Sequence, residues 1–285
     1  MRLGYLGPEG TFSHEALLAT APADADAVGL PTIHDVTVAV ADGKVQRGIV
    51  PIENSLAGSV TATLDALTQD GSPLTIVDEV VLAIEQCLIA RPGVHRDAIE
   101  AVVSHPQALE QCAEYLRREL PGAEQHAVGS TAEAARIVMS RAEPWAAIGP
   151  RRAAEIAGAA VLDAPIQDDT GNETRFVWLS TDADATPFGP SGGAHKTSIM
   201  FAGEGDETPG WLVRCLTELS SRAVNLTKIE SRPRRGRLGH YIFLADLDGR
   251  ASDPTITEAI EGLRRHCQEL RVLGSYPAAL VRSVH

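Results

Sequence analysis

Along the chain, short apolar runs of β type alternate with stretches whose apolar positions recur every three to four residues. The runs lie at 3–6, 48–52, 99–104, 146–148, 160–162 and 176–179. Between them the spacing predicts helices over 32–42, with Ile33, Val36 and Val40 on one face, over 60–68, with Val60, Leu64 and Leu67, and over 106–120. Ser130 and Glu133 form a capping box that opens a helix running to Met139. This alternation predicts a layered α/β fold. The stretch 74–90 is long and apolar, interrupted only by Asp78, Glu79, Glu85 and Gln86, and reads either as two strands or as one segment crossing between two lobes.

A change of texture follows at 181–195, where Asp, Ala, Thr, Pro, Gly and Ser dominate and a linker is expected. Beyond it the pattern restarts as a separate module: a strand over 197–202, a helix over 209–221, strands over 224–232 and 239–247, a helix opened by Asp253 as N-cap with Pro254, and a strand over 272–276. The last helix carries Ile256, Ile260, Leu263, Cys267 and Leu270 on one face. The order βαββαβ is the ferredoxin-like pattern. Arg232, Arg234, Arg235 and Arg237 read as a solvated basic loop.

Composition narrows the partners. The 285 residues hold 25 Lys and Arg against 38 Asp and Glu, a formal charge of -13, which disfavours nucleic acid. No apolar run approaches the ~20 residues of a spanning helix, and the first residues lack the apolar stretch of a secretory signal, so a cytoplasmic protein without a membrane segment is expected. The four cysteines stand far apart and the nine histidines singly, without metal-ligand spacing, and the cysteines read as small apolar residues.

Four segments carry candidate chemistry. Gly7-Pro8-Glu9-Gly10-Thr11-Phe12-Ser13 joins a strand to a helix, and reads both as an anion-binding helix start and as a tight turn capped by Thr11 or Ser13. Pro51-Ile52-Glu53-Asn54-Ser55 places a carboxylate, an amide and a hydroxyl at a strand end, where open α/β sheets bind ligands, and reads equally as an Asx turn. Ser104-His105-Pro106-Gln107 opens a helix with Ser104 as candidate N-cap, and Gln107 and Gln111 share a helix face. Thr174-Arg175-Phe176 begins a strand with a hydroxyl and a guanidinium, the latter suited to a carboxylate.

Taken in this order, the four segments closely resemble prephenate dehydratase. Beyond the linker, Glu230-Ser231-Arg232-Pro233 resembles the Glu-Ser-Arg-Pro motif of the ACT regulatory domain of that family, and Pro209-Gly210-Trp211-Leu212-Val213 falls where its Gly-Ala-Leu-Val motif belongs, with Trp211 in place of Ala and so expected to narrow or reshape an effector pocket.

The resemblance implies a hydro-lyase that converts prephenate to phenylpyruvate with loss of water and carbon dioxide, in L-phenylalanine biosynthesis, without metal, nicotinamide or pyridoxal cofactor. It implies Thr174 as donor to the leaving hydroxyl, with Glu53, Asn54 and Gln111 as further catalytic residues, and Thr11, Ser55, Ser104, Arg175 and Phe176 as substrate contacts. It also implies a two-lobed catalytic domain over 1–180, like a periplasmic binding protein, with lobe one at 1–78 plus 163–180 and lobe two at 79–162. An ACT domain over 196–279 would follow, pairing across a two-fold in a homodimer or homotetramer and binding L-phenylalanine near Gly210, Trp211, Leu212, Asn225, Leu226, Glu230 and Ser231. Because the chain begins at the dehydratase loop, a monofunctional enzyme is expected. Two readings stay open beside this one: dehydration of arogenate, and a non-catalytic amino-acid sensor.

Overall fold

The computed structural model describes residues 1–189, 193–203, 209–234, 240–279 and 281–282. The chain forms two compact units, the first built on Met1–Leu64 and Val80–Phe176 and the second on Asp65–Glu79 and Val177–Ala279. The first opens with β1 (Arg2–Leu6), α1 (Phe12–Thr20), β2 (Asp26–Leu30), α2 (Ile33–Ala41), β3 (Arg47–Asn54), the short β4 (Gly58–Ser59) and α3 (Thr61–Thr68). β1 lies between β2 and β3 and runs parallel to both. The expected face of α2 is the one buried: Gly48 in β3 lets Val36 and Val40 in so close that a Cβ there would sit 2.6 and 2.9 Å from their methyl groups.

The apolar stretch at 74–90 is two strands in two different sheets, β5 (Thr75–Ala83) and β6 (Cys87–Ala90). The chain crosses from one sheet to the other at residues 84–86, β5 continuing through Ala83. β7 (Ala101–Ser104), α4 (Pro106–Gln111), α5 (Ala113–Glu119), β8 (Glu124–Ala127), α6 (Thr131–Ser140), β9 (Trp145–Gly149), α7 (Arg151–Ala157) and β10 (Ala160–Asp163) follow, and β6 to β10 form a sheet of order β10-β6-β9-β7-β8. The chain then returns to β11 (Glu173–Ser180), beside β3. Ile84 N–H donates to the Asn172 carbonyl and Ile166 N–H to that of Gln86, so the outgoing and returning crossings hold each other.

The helix expected over 106–120 is broken at Cys112 (φ -117°, ψ 19°). A distant residue stabilises the break: the Asp168 carboxylate accepts the N–H groups of Glu114 and Tyr115 at 2.9 and 3.1 Å, capping α5 from 54 and 53 positions away.

The second unit contains β12 (His195–Ala202), α8 (Trp211–Ser220), β13 (Leu226–Pro233), β14 (Tyr241–Asp248), α9 (Pro254–Arg264) and β15 (Glu269–Pro277). Its strands pair antiparallel in the order β13-β14-β12-β15, and Phe201, Cys215, Leu219, Leu247, Ile256 and Leu263 fill its core. The short β16 (Val281–Arg282) pairs with β5 at Val81 and Leu82. Asp253 precedes α9 but its carboxylate accepts the Arg250 N–H instead of a helix amide, so the expected side-chain cap is not made. Of the basic stretch, Arg232 is a strand residue paired with Asp65 and mostly buried, so it does not belong to a solvated loop, whereas Arg234, just past β13, is exposed as expected and pairs with Glu269; Arg235 and Arg237 lie outside the described residues.

Arg271 in β15 donates to the carbonyls of Leu67, Gln69 and Ser72, satisfying acceptors left over where α3 ends. Arg271→Ala is therefore expected to cost about 1–3 kcal/mol. The check is urea unfolding, where the midpoint should fall with an unchanged slope.

Candidate active site

A cavity of about 290 Å³ lies within the first unit, and the N-termini of α1, α4 and α6 open onto it. Each start is capped by a side chain of its own. Thr11 Oγ1 accepts the His14 N–H (3.3 Å), His105 Nδ1 that of Gln107 (3.3 Å) and Ser130 Oγ that of Glu133 (3.1 Å), while the Glu133 carboxylate accepts the Gly129 N–H at 3.0 Å. The first loop is thus the turn capped by Thr11, and Thr11 also lines the cavity. It is braced from below: Gly10 N–H donates to His14 Nδ1, whose ring stacks on Tyr5, and burial lowers the His14 pKa, as a ring that must accept this hydrogen bond requires. Among the described residues, no Lys, Arg, Asp or Glu lines the cavity. Its polarity comes from helix starts and neutral hydroxyl and amide groups, which together suit an anion.

Strands β3 and β11 also contribute to the lining. Thr174 and Phe176 line the cavity, and Arg175 between them, 8% exposed, is turned away and pairs with Glu53 of β3 at 3.4 Å. The period of two in a strand forbids three successive side chains on one face. Arg175 and Glu53, expected as substrate and catalytic groups, are consequently placed as a cross-strand pair outside the cavity, whereas Asn54 faces in. Asn54 is the centre of the site. Its Oδ1 accepts the N–H groups of Leu56 and Ala57 (3.1 and 2.9 Å), which orients the amide so that Nδ2 donates to Asn172 Oδ1 (2.7 Å), the Glu173 carbonyl (3.0 Å) and Thr174 Oγ1 (2.9 Å). The Thr174 hydroxyl accepts in this contact, and Thr174 also lines the cavity.

Ser55 and Ser104, expected as substrate contacts, make their hydrogen bonds within the fold. Ser55 Oγ accepts the Glu173 N–H and donates to the Gly171 carbonyl, tying β3 to the start of β11. Ser104 is fully buried and donates to the Ile148 carbonyl at 2.6 Å; it neither lines the cavity nor caps α4, a role that falls one residue on, to His105. Gln107 and Gln111 both line the cavity, as their shared face requires. Gln86, which the sequence offered only as a polar break, also lines it and donates from Nε2 to Gln111 Oε1. Among the described residues, no group of three or more His, Cys, Asp or Glu is placed to hold a metal ion.

Behind the first loop, Glu15 of α1 is buried near α7. Burial pushes its carboxyl up from 4.5 to about 7, helped by repulsion from Glu155 and Glu85 and opposed by the backbone N–H and charge of Arg152. Because the native value is raised, the stability of the neutral form is fully present below pH 4.5 and is lost as pH rises through about 7. Glu15→Gln is expected to match the parent near pH 4 and exceed its stability at pH 8 by roughly 2–3 kcal/mol, read from unfolding at both pH values.

In the second unit, Trp211 and Leu212 open α8 behind Gly210, whose φ of 79° is the left-handed conformation that favours glycine. The Trp211 ring does not stand clear as an obstruction: it packs on Phe201 and Phe243 and over Gly203, and Nε1 donates to the His266 carbonyl. Leu212 and Leu226 pack on the same core, Asn225 bonds Asp248, and Glu230 and Ser231 lie along β13, the edge strand.

The prephenate dehydratase family model matches residues 3–184. The prephenate dehydratase of Amycolatopsis methanolica is 37% identical over 278 residues, covering 98% of this chain and 89% of the relative. Among solved structures, prephenate dehydratase from Arthrobacter aurescens in complex with L-Phe superposes with a TM-score of 0.88 at 36% identity, over 98% of this chain and 90% of that one. A protein described as a novel type of quorum quenching acylase also superposes, with a TM-score of 0.85 at 28% identity and 98% coverage of both chains.

Proposed function

The chain belongs to the prephenate dehydratase family, and from that premise we propose that the cavity binds prephenate and that Thr174 delivers the proton to its leaving hydroxyl. The overall activity is that of a hydro-lyase. Loss of the ring carboxylate as carbon dioxide leaves its electron pair in the ring. That pair expels the C4 hydroxyl, which departs as water on gaining one proton, and the ring becomes aromatic. The protein must therefore hold a dianion and place one hydrogen-bond donor at the C4 oxygen.

The observation that supports this reading is the Asn54–Thr174 contact, in which the threonine hydroxyl accepts and so has its hydrogen left to donate, beside a cavity that no charged side chain lines among the described residues. Helix starts at α1, α4 and α6 take the carboxylates, and Phe176 supplies an apolar surface for the ring. A threonine hydroxyl is a weak acid, so it acts within a hydrogen-bonded relay that returns its proton from solvent. The decisive measurement is phenylpyruvate formation from prephenate, followed by its ultraviolet absorbance in base. Absence of turnover with L-phenylalanine still bound would favour the sensor.

Residues 1–180 serve as the catalytic domain, two sheets joined by two crossings in the manner of two-lobed binding folds, and 196–279 as an ACT domain after a linker at 181–195. The βαββαβ order and the L-Phe held by the Arthrobacter relative support an effector site near Gly210, Asn225, Leu226, Glu230 and Ser231, completed by a second copy in a homodimer or homotetramer. Added L-phenylalanine is expected to lower turnover. Turnover indifferent to it would remove the regulatory half of the proposal.

A further inference from the structure

Gln86 is 2% exposed and sits where the chain crosses from β5 to β6. Its backbone is held on both sides, the N–H by Gln167 Oε1 and the carbonyl by the Ile166 N–H. Its side chain makes one bond, from Nε2 to Gln111 Oε1 at 3.3 Å, and its own Oε1 is buried without a partner. A buried acceptor left unpaired is costly, and natural proteins keep few of them.

In the structure Gln86 is the donor and Gln111 the acceptor of this bond. With Gln111 Oε1 occupied, the end of the Gln111 amide left to the cavity is its NH₂, a donor. Turning both amides over would keep one bond between them, reverse its direction and present the Gln111 oxygen instead. We propose that Gln86 determines substrate specificity by setting this orientation, so that Gln111 offers the cavity a donor and selects a keto acid over the corresponding amino acid. The inference rests on the catalytic reading above. Prephenate and arogenate differ at one group, and that group reverses hydrogen-bond character: a keto oxygen only accepts, an ammonium only donates. A donor facing it pairs with the first and repels the second, and sites that leave a buried polar group unpaired discriminate strongly.

The test compares kcat/KM for prephenate and for arogenate in the parent, Gln86→Glu and Gln86→Leu. A carboxylate at this position only accepts, so it draws the Gln111 NH₂ toward itself and leaves the Gln111 oxygen facing the cavity. The prephenate-to-arogenate ratio is expected to fall by about tenfold or more in Gln86→Glu. Gln86→Leu, which tolerates burial better, frees the Gln111 amide and should give a ratio between the two. A ratio unchanged in both variants, with the two rates falling together, overturns the specificity role and leaves the catalytic reading standing. A parent that converts neither substrate overturns the catalytic reading and this inference with it.

Discussion

Thr174→Ala is expected to lower phenylpyruvate formation by about 10²–10⁴-fold, the range for loss of a positioned proton donor. The loss should fall on kcat, because in the proposed mode the carboxylates are held by other groups, the helix starts that line the cavity. Stability should change little. The substitution removes a hydroxyl whose one bond from Asn54 Nδ2 is shared with two other acceptors, Asn172 Oδ1 and the Glu173 carbonyl, which remain. Thr174→Ser keeps the hydroxyl and should retain turnover within about tenfold, since only a methyl and some rotamer restriction are lost. Steady-state kinetics with a thermal melt of each variant checks both statements. Near-parent turnover in Thr174→Ala with an intact fold would move the proton-delivery role to another group.

The same site shows what the sequence could and could not disclose. The apolar runs located the buried strands because burial on both faces demands continuous apolar character, the helix face of α2 emerged at the expected spacing, and α6 opened at the expected Ser130 cap. β2 and β8 were not anticipated, being sheet-edge strands with largely exposed residues, and the seven residues of α7 are too few to show a helical period. Motif order led to the right loops but not to the right side chains within them. Thr174, Arg175 and Phe176 are adjacent in sequence, yet a strand sends Arg175 to the other side, where Glu53 meets it. The alternation of β11 was available in advance and would have separated them. Nothing local marked Gln86 or the Asp168 cap, because both depend on segments that the crossings bring together from more than fifty residues away.

Asn54→Asp should disable the enzyme nearly as far as Thr174→Ala, by about 10²–10³-fold, and unlike it should also destabilise the fold by about 1–3 kcal/mol. The side chain is almost isosteric, and one oxygen still accepts the N–H groups of Leu56 and Ala57. The atom that replaces Nδ2, however, faces three oxygens, those of Asn172, Glu173 and Thr174. The threonine can respond by turning its hydrogen from the cavity to the new carboxylate, which withdraws the proton the leaving hydroxyl needs, and Asn172 by turning its amide so that the otherwise unpartnered Nδ2 donates. The added negative charge also repels a dianionic substrate, so KM rises as well. Burial raises the pKa of the introduced carboxyl, and below that value it regains one O–H donor. Activity relative to the parent should accordingly recover in part as pH falls, and a ratio of the two kcat/KM profiles across pH 5–8 measures it. A ratio flat in pH would mean that Asn54 acts by shape alone and that its donation to Thr174 contributes nothing to catalysis.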